Sequence, residues 1–98
     1  VHAADAGAVI NPMQLRGQAE GAVAQGIGWV LYERIVLDDT GKIVNPAFRN
    51  YRIPAYADIP RTQLYLAVTS DRIRQLGAKA IGEYPITPVA PGPAKRAE

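Results

Sequence analysis

At 98 residues and without a single cysteine, the chain is long enough for one small domain but not for two, and it has no thiol to form a disulfide or hold a metal. Lys and Arg number 11 against 9 Asp and Glu, a net charge of +2, and apart from Arg72, Arg74 and the Lys95-Arg96 pair the basic residues are scattered, so no basic face for nucleic acid is expected. The longest apolar segment, Ala22 to Leu37, is broken by Gln25, Glu33 and Arg34 and falls short of the roughly 20 residues of a membrane span. The lack of cysteine fits a reducing compartment, and a cytoplasmic location is expected. Val1 begins in what reads as mid-domain sequence with no initiator methionine, so the chain reads as a fragment.

Val1 to Ala4 predicts a short strand running into the turn Asp5-Ala6-Gly7. Asn11-Pro12 marks a helix start, Asn being a good N-cap and Pro being tolerated at the first helical position. From Met13 to about Arg34 the residues Leu15, Ala19, Val23, Ile27, Val30 and Leu31 recur at helical spacing, predicting one long helix with Leu15, Val23, Ile27 and Leu31 buried against strands. Gly17, Gly21, Gly26 and Gly28 each cost such a helix about 1 kcal/mol relative to Ala. Two explanations stay open: tight packing of the helix on a sheet, or a face kept bare for a ligand.

Ile35-Val36-Leu37 and Lys42-Ile43-Val44, joined by Asp38-Asp39-Thr40-Gly41, read as a β-hairpin. Asn45 to Pro60 reads as an ordered loop. Gln63 to Thr69 reads as a strand with Leu64, Leu66 and Val68 on one face. Ser70 to Leu76 is a polar connector, Gly77 to Glu83 approaches a turn, and Tyr84 to Pro88 is expected to exclude helix. The fold class is therefore α+β, one long helix packed on a small, mainly antiparallel β-sheet. Residues 1–88 form the packed unit and residues 89–98 a disordered tail.

Several familiar motifs fail on inspection. Gly26-Ile27-Gly28 lacks the third glycine of a dinucleotide fingerprint and falls late in a helix. His2 is the only histidine, so no protein-ligated metal site is expected, and a metal would have to arrive inside an organic cofactor. Ser70 is the only serine, with no elbow turn around it. Glu83 follows Gly82, stands beside Ile81 and Tyr84-Pro85, and has no cation within three residues; it reads as a surface turn carboxylate or, if buried, as a candidate general base. Gln18 and Gln25 lie on one side of the helix and face solvent or a ligand.

Asp5-Ala6-Gly7, Ile10-Asn11-Pro12, Gly17-Gln18, Glu20-Gly21, Gln25-Gly26-Ile27-Gly28, Glu33, Tyr51-Arg52-Ile53-Pro54, Asp58-Ile59-Pro60 and Lys79-Ala80-Ile81-Gly82-Glu83 together resemble the C-terminal part of the molybdenum-binding large subunit of the xanthine dehydrogenase and aldehyde oxidase family. The resemblance implies that Glu83 is the catalytic base in the oxidative hydroxylation of an aldehyde or N-heterocycle, and that Gln18 sits beside the molybdenum oxo group. It further implies that Gly17 and Gly21 let the helix approach the pterin, and that Lys79, Ala80 and Gly82 shape the turn presenting Glu83. The cofactor implied is molybdopterin in the full-length parent, with none expected in the isolated chain, which is expected to be inactive alone. The implied partners are the remainder of the subunit and iron–sulfur and FAD modules.

The chain departs from the pattern at Pro91-Gly92-Pro93-Ala94-Lys95-Arg96, where relatives continue into a helix that this segment is not expected to form. A rival reading from another class is a free-standing α+β interaction module that binds a partner or itself.

Overall fold

The computed structural model describes residues 1–94. Strand β1 (His2–Ala4) alternates buried, exposed, buried. It pairs with β2 (Leu64–Leu66) in parallel, His2 opposite Leu64, Ala3 opposite Tyr65 and Ala4 opposite Leu66. The sheet is thus parallel and not mainly antiparallel, and the connection is the reason. Between the strands the chain passes through a helix and a long loop, and such a crossover brings it back running in its original direction.

Among the described residues antiparallel pairing survives only as isolated bridges, Gly7 with Ala78 and Leu37 with Ile43. The hairpin expected over residues 35–44 closes its turn, with Asp38 N donating to Lys42 O and Val44 N donating to Val36 O, each at 2.9 Å. It does not lengthen because the buried Asn45 occupies the next ladder positions with its side chain: Oδ1 accepts from Val36 N at 2.8 Å, and Nδ2 donates to Arg34 O at 2.6 Å. β2 is also shorter than the predicted strand, and Val68 stands fully exposed instead of sharing a face with Leu64 and Leu66.

Helix α1 (Pro12–Ile27) starts where the sequence predicts, with Asn11 Oδ1 accepting from Gln14 N at 3.0 Å and Pro12 in the first turn. Its α geometry stops earlier than Arg34. Gly28–Tyr32 form a wider π turn, closed by Glu33 N donating to Gly28 O at 2.8 Å. The Glu33 carboxylate folds back over Gly28 and accepts from the Tyr51 hydroxyl at 2.6 Å, while Pro54 crowds the same glycine. A side chain at position 28 would collide with both.

The helix buries Leu15, Ala19, Ala22, Gly26 and Ile27. Val23 is half-buried and Leu31 is 57% exposed, so the buried face is narrower and richer in small residues than the periodicity predicts. Its main partner is not the sheet but a single 3-10 turn, Tyr84–Ile86, whose Pro85 is completely buried. That turn corrects the expectation that Tyr84 to Pro88 excludes helix, because a proline in a first turn gives up no hydrogen bond. Val89 is buried too, seated on Gly26, so packing continues past Pro88. Pro91–Ala94 then form a single helical turn, α2, with Gly92 N donating to Val89 O at 3.1 Å. The rest of the expected tail, residues 95–98, lies outside the described residues. Among the described residues no helix is long and apolar enough to cross a membrane.

Candidate functional site

Gln14, Gly17, Gln18, Gly21 and Gln25 share one exposed face of α1. At Gly17 and Gly21 an added Cβ would meet no atom within 4 Å. This stripe borders a cleft of about 560 Å³ whose walls are the first turns of the helix, Ala6 and the stretch from Ala8 to Asn11 after β1, and Ala78, Lys79, Ile81 and Gly82. Gln14, Leu15 and Gln18 contribute from the helix, and Lys79, Ile81 and Gly82 from the far wall.

The far wall is held by a close backbone approach. Lys79 N donates to Ala6 O at 2.8 Å, and Ala8 N donates to Gly77 O at 2.9 Å. Gly7 (φ 61°) allows this contact, since a side chain there would strike the Gly77 carbonyl. The turn into the wall passes through Leu76 and Gly77, both left-handed at φ 59° and 68°. For a leucine this is a strained conformation, close to the residues of interest.

Two side-chain contacts fasten the wall. Gln18 Nε2 donates to Gly82 O at 3.0 Å across 64 positions of sequence. Lys79 Nζ donates to Asp5 Oδ2 at 2.6 Å across 74 positions. Asp5 also accepts from Gly7 N at 3.0 Å and from the Thr69 hydroxyl. Its bonds from Lys79, Thr69 and Gly7, in that order, hold its carboxyl well below the usual range, at about 2.

Of the residues singled out from the sequence, Gln18, Lys79 and Gly82 meet at the cleft, and Gly17 and Gly21 form the bare helix face beside it. Ala80 and Glu83 are exposed and do not line it. Glu83 follows the bonded Gly82 directly, and its main-chain oxygen caps the Tyr84–Ile86 turn by accepting from Ile86 N at 3.0 Å. Asp5 and Thr69 were not among those candidates. Asp5 reads as a turn residue, and nothing local joins it to a lysine 74 positions away.

A molybdopterin cofactor-binding domain is recognised over residues 1–60. The chain is 34% identical over 87 residues to the xanthine dehydrogenase molybdenum-binding subunit of Escherichia coli O157:H7, covering 88% of this chain and 12% of that protein. It is 38% identical over 85 residues to the 6-hydroxypseudooxynicotine dehydrogenase complex subunit gamma of Paenarthrobacter nicotinovorans, covering 84% of this chain and 10% of that one. The crystal structure of quinoline 2-oxidoreductase from Pseudomonas putida 86 superposes with a TM-score of 0.83 at 34% identity, over 90% of this chain and 12% of the other. The chain belongs to the molybdopterin-binding part of the xanthine dehydrogenase and aldehyde oxidase family of oxidoreductases. It spans about a tenth of the length of the curated relatives it matches.

The residues present fit one side of a large, flat, acceptor-rich cofactor. Gly17, Gly21 and Gly82 leave open space where side chains would stand, and Gln18 keeps a second amide hydrogen beyond the one given to Gly82. Among the described residues no three His, Cys, Asp or Glu side chains converge on a metal position. Molybdopterin, the cofactor of the family, brings its own metal.

Proposed function

We propose that in a complete subunit this chain forms one wall of the molybdopterin site and supplies Glu83 as the base for oxidative hydroxylation of an aldehyde or an N-heterocycle. The Gln18–Gly82 hydrogen bond carries this reading, because it draws the residue preceding Glu83 onto the same bare helix face that fits the cofactor. The cofactor, when bound, supplies the two-electron redox chemistry and the reacting oxygen. Gln18 orients it with its remaining amide hydrogen, and Gly17 and Gly21 let it lie close to the helix backbone. The Glu83 carboxylate would accept the proton released as the reacting oxygen is transferred, and the rest of the subunit would exclude water around it. Electrons leave through iron–sulfur and FAD modules.

The remainder of the subunit also covers the outer face of the chain. Trp29, Leu31, Ile35, Leu37, Phe48 and Ile53 are all more than half exposed. The accessible surface of 7759 Å² exceeds by about 2,300 Å² that of a compact chain of this mass, an excess the size of an obligate interface. The same surface supports the rival reading of a self-associating interaction module. Co-expression with the remainder of a subunit separates the two: a 1:1 complex supports the first reading, and a homodimer that ignores the remainder supports the second.

Glu83→Gln in a complete, cofactor-loaded subunit tests the catalytic role. Turnover is expected to fall by about 10²- to 10⁴-fold with molybdenum content unchanged. Turnover within threefold of the parent at full molybdenum loading would overturn it.

A further inference from the structure

Glu83 makes no side-chain hydrogen bond among the described residues, so its position depends on whatever holds the backbone on either side of it. Before it, Lys79 donates to Asp5 Oδ2 at 2.6 Å; after it, the Tyr84 hydroxyl donates to the main-chain oxygen of the same Asp5 at 3.3 Å. Both ends of the short segment bearing Glu83 are therefore tied to one residue at the end of β1. Asp5 is itself fixed, since its Oδ1 accepts from Gly7 N and the Thr69 hydroxyl. The carboxylate thus links the end of β1, the stretch after β2 and the 79–84 segment.

We propose that Asp5 is a positioning residue that holds the Lys79–Tyr84 segment, and with it Glu83, in register with the cofactor face of α1. This rests on the reading of Glu83 as the base. An ion pair this exposed, with side chains 41% and 35% accessible for Asp5 and Lys79, adds little to global stability. Its consequence is geometric, and a misplacement of about 1 Å at a reacting group can cost about 10²-fold in rate.

The experiment uses Asp5→Asn, which keeps an oxygen for Gly7 and Thr69 and removes the charge facing Lys79, alongside Lys79→Met, which leaves the Asp5 turn intact. In the chain itself, amide hydrogen exchange at residue 79, whose N–H donates to Ala6 O, and at Ile86, whose N–H donates to Glu83 O, is expected to accelerate about tenfold or more in both variants, with exchange at Ala19 and Ala22 of α1 unchanged. In the loaded subunit, Asp5→Asn is expected to lower kcat about 10- to 100-fold with KM and molybdenum content unchanged. If exchange at residue 79 and Ile86 and kcat all stay within twofold of the parent while Glu83→Gln abolishes turnover, Asp5 has no positioning role and the reading of Glu83 stands. If Glu83→Gln leaves turnover intact, the base assignment fails whatever Asp5 does. If exchange in α1 rises together with that at residue 79 and Ile86 in both variants, Asp5 is a general structural residue and the proposal is overturned.

Discussion

The two ends of α1 carry the same residue for opposite reasons. At the C-terminal end, Gly26 and Gly28 are packed: an added Cβ would lie 2.8 Å from Val89 Cβ at position 26, and would strike the Glu33 carboxylate and crowd Pro54 at position 28. At the N-terminal end, Gly17 and Gly21 face open space. Tight packing accounts for the glycines at the C-terminal end, though against Val89, Glu33 and Pro54 and not a sheet, and the bare N-terminal end leaves room for the proposed cofactor. Glycine in a helix therefore marks either close approach by another group of the chain or a stretch kept clear of side chains, and the surroundings tell which.

The packed end should show the largest loss on truncation. Ile27 is 8% exposed and closes the buried face, so Ile27→Ala is expected to destabilise the chain by about 2–5 kcal/mol in denaturant unfolding. Leu31, one helical turn on but 57% exposed beyond the π turn, should lose less than about 0.5 kcal/mol on the same substitution. Equal losses at the two positions would show that the packed end extends through the π turn.

Overfilling the packed end comes next in size. Gly26→Ala places a methyl group against a branched side chain that is itself buried, and an expected loss of about 1–3 kcal/mol follows from overpacking. A crystal structure or methyl NMR of the variant should show Val89 displaced. Stability at or above the parent's would mean that Val89 and the chain after it move away without cost, as a loosely held tail would.

Local signals in the sequence account for the elements that local physics decides. Asn11-Pro12 sets the start of α1, β1 and β2 fall within their predicted runs, and the Asp38–Gly41 turn closes as expected. What the sequence does not reveal comes from partners distant along the chain. The strand pairing is parallel because of a long crossover, the hairpin is cut short by the side chain of Asn45, and the helix changes pitch where Glu33 folds over Gly28. Site residues follow the same division. The resemblance of short motifs picks out Gln18 and Gly82, which prove to be hydrogen-bonded, whereas Asp5, though it stands in one of those motifs, gains a role only once Lys79, Thr69 and Tyr84 are seen around it.

The cleft end should respond to acid before the packed end does. Asp5 has its carboxyl lowered to about 2 by its bonds to Lys79, Thr69 and Gly7, so its contribution is complete above the ordinary value of 3.8 and is lost as pH falls through about 2. NMR of the Lys79 and Gly7 signals is expected to report the tether intact at pH 4 and released near pH 2, with the Ala19 and Ala22 amides still protected at the pH of release. Release near pH 4 would mean that Lys79 does not pair with Asp5 in solution.

The smallest effect has the most diagnostic sign. Gly17→Ala and Gly21→Ala add a methyl group where nothing lies within 4 Å and remove the entropic penalty of glycine in a helix, so each is expected to stabilise the chain by about 0.5–1 kcal/mol. The same methyl groups would stand between the helix and a cofactor lying on it. In a complete subunit the two substitutions are therefore expected to lower molybdenum content while raising the unfolding midpoint of the cofactor-free protein. No position at the packed end should show that combination, since Gly26→Ala loses stability outright. If Gly17→Ala and Gly21→Ala raise stability and leave molybdenum loading unchanged, the bare face is ordinary surface and the contrast between the two ends of the helix is one of packing alone.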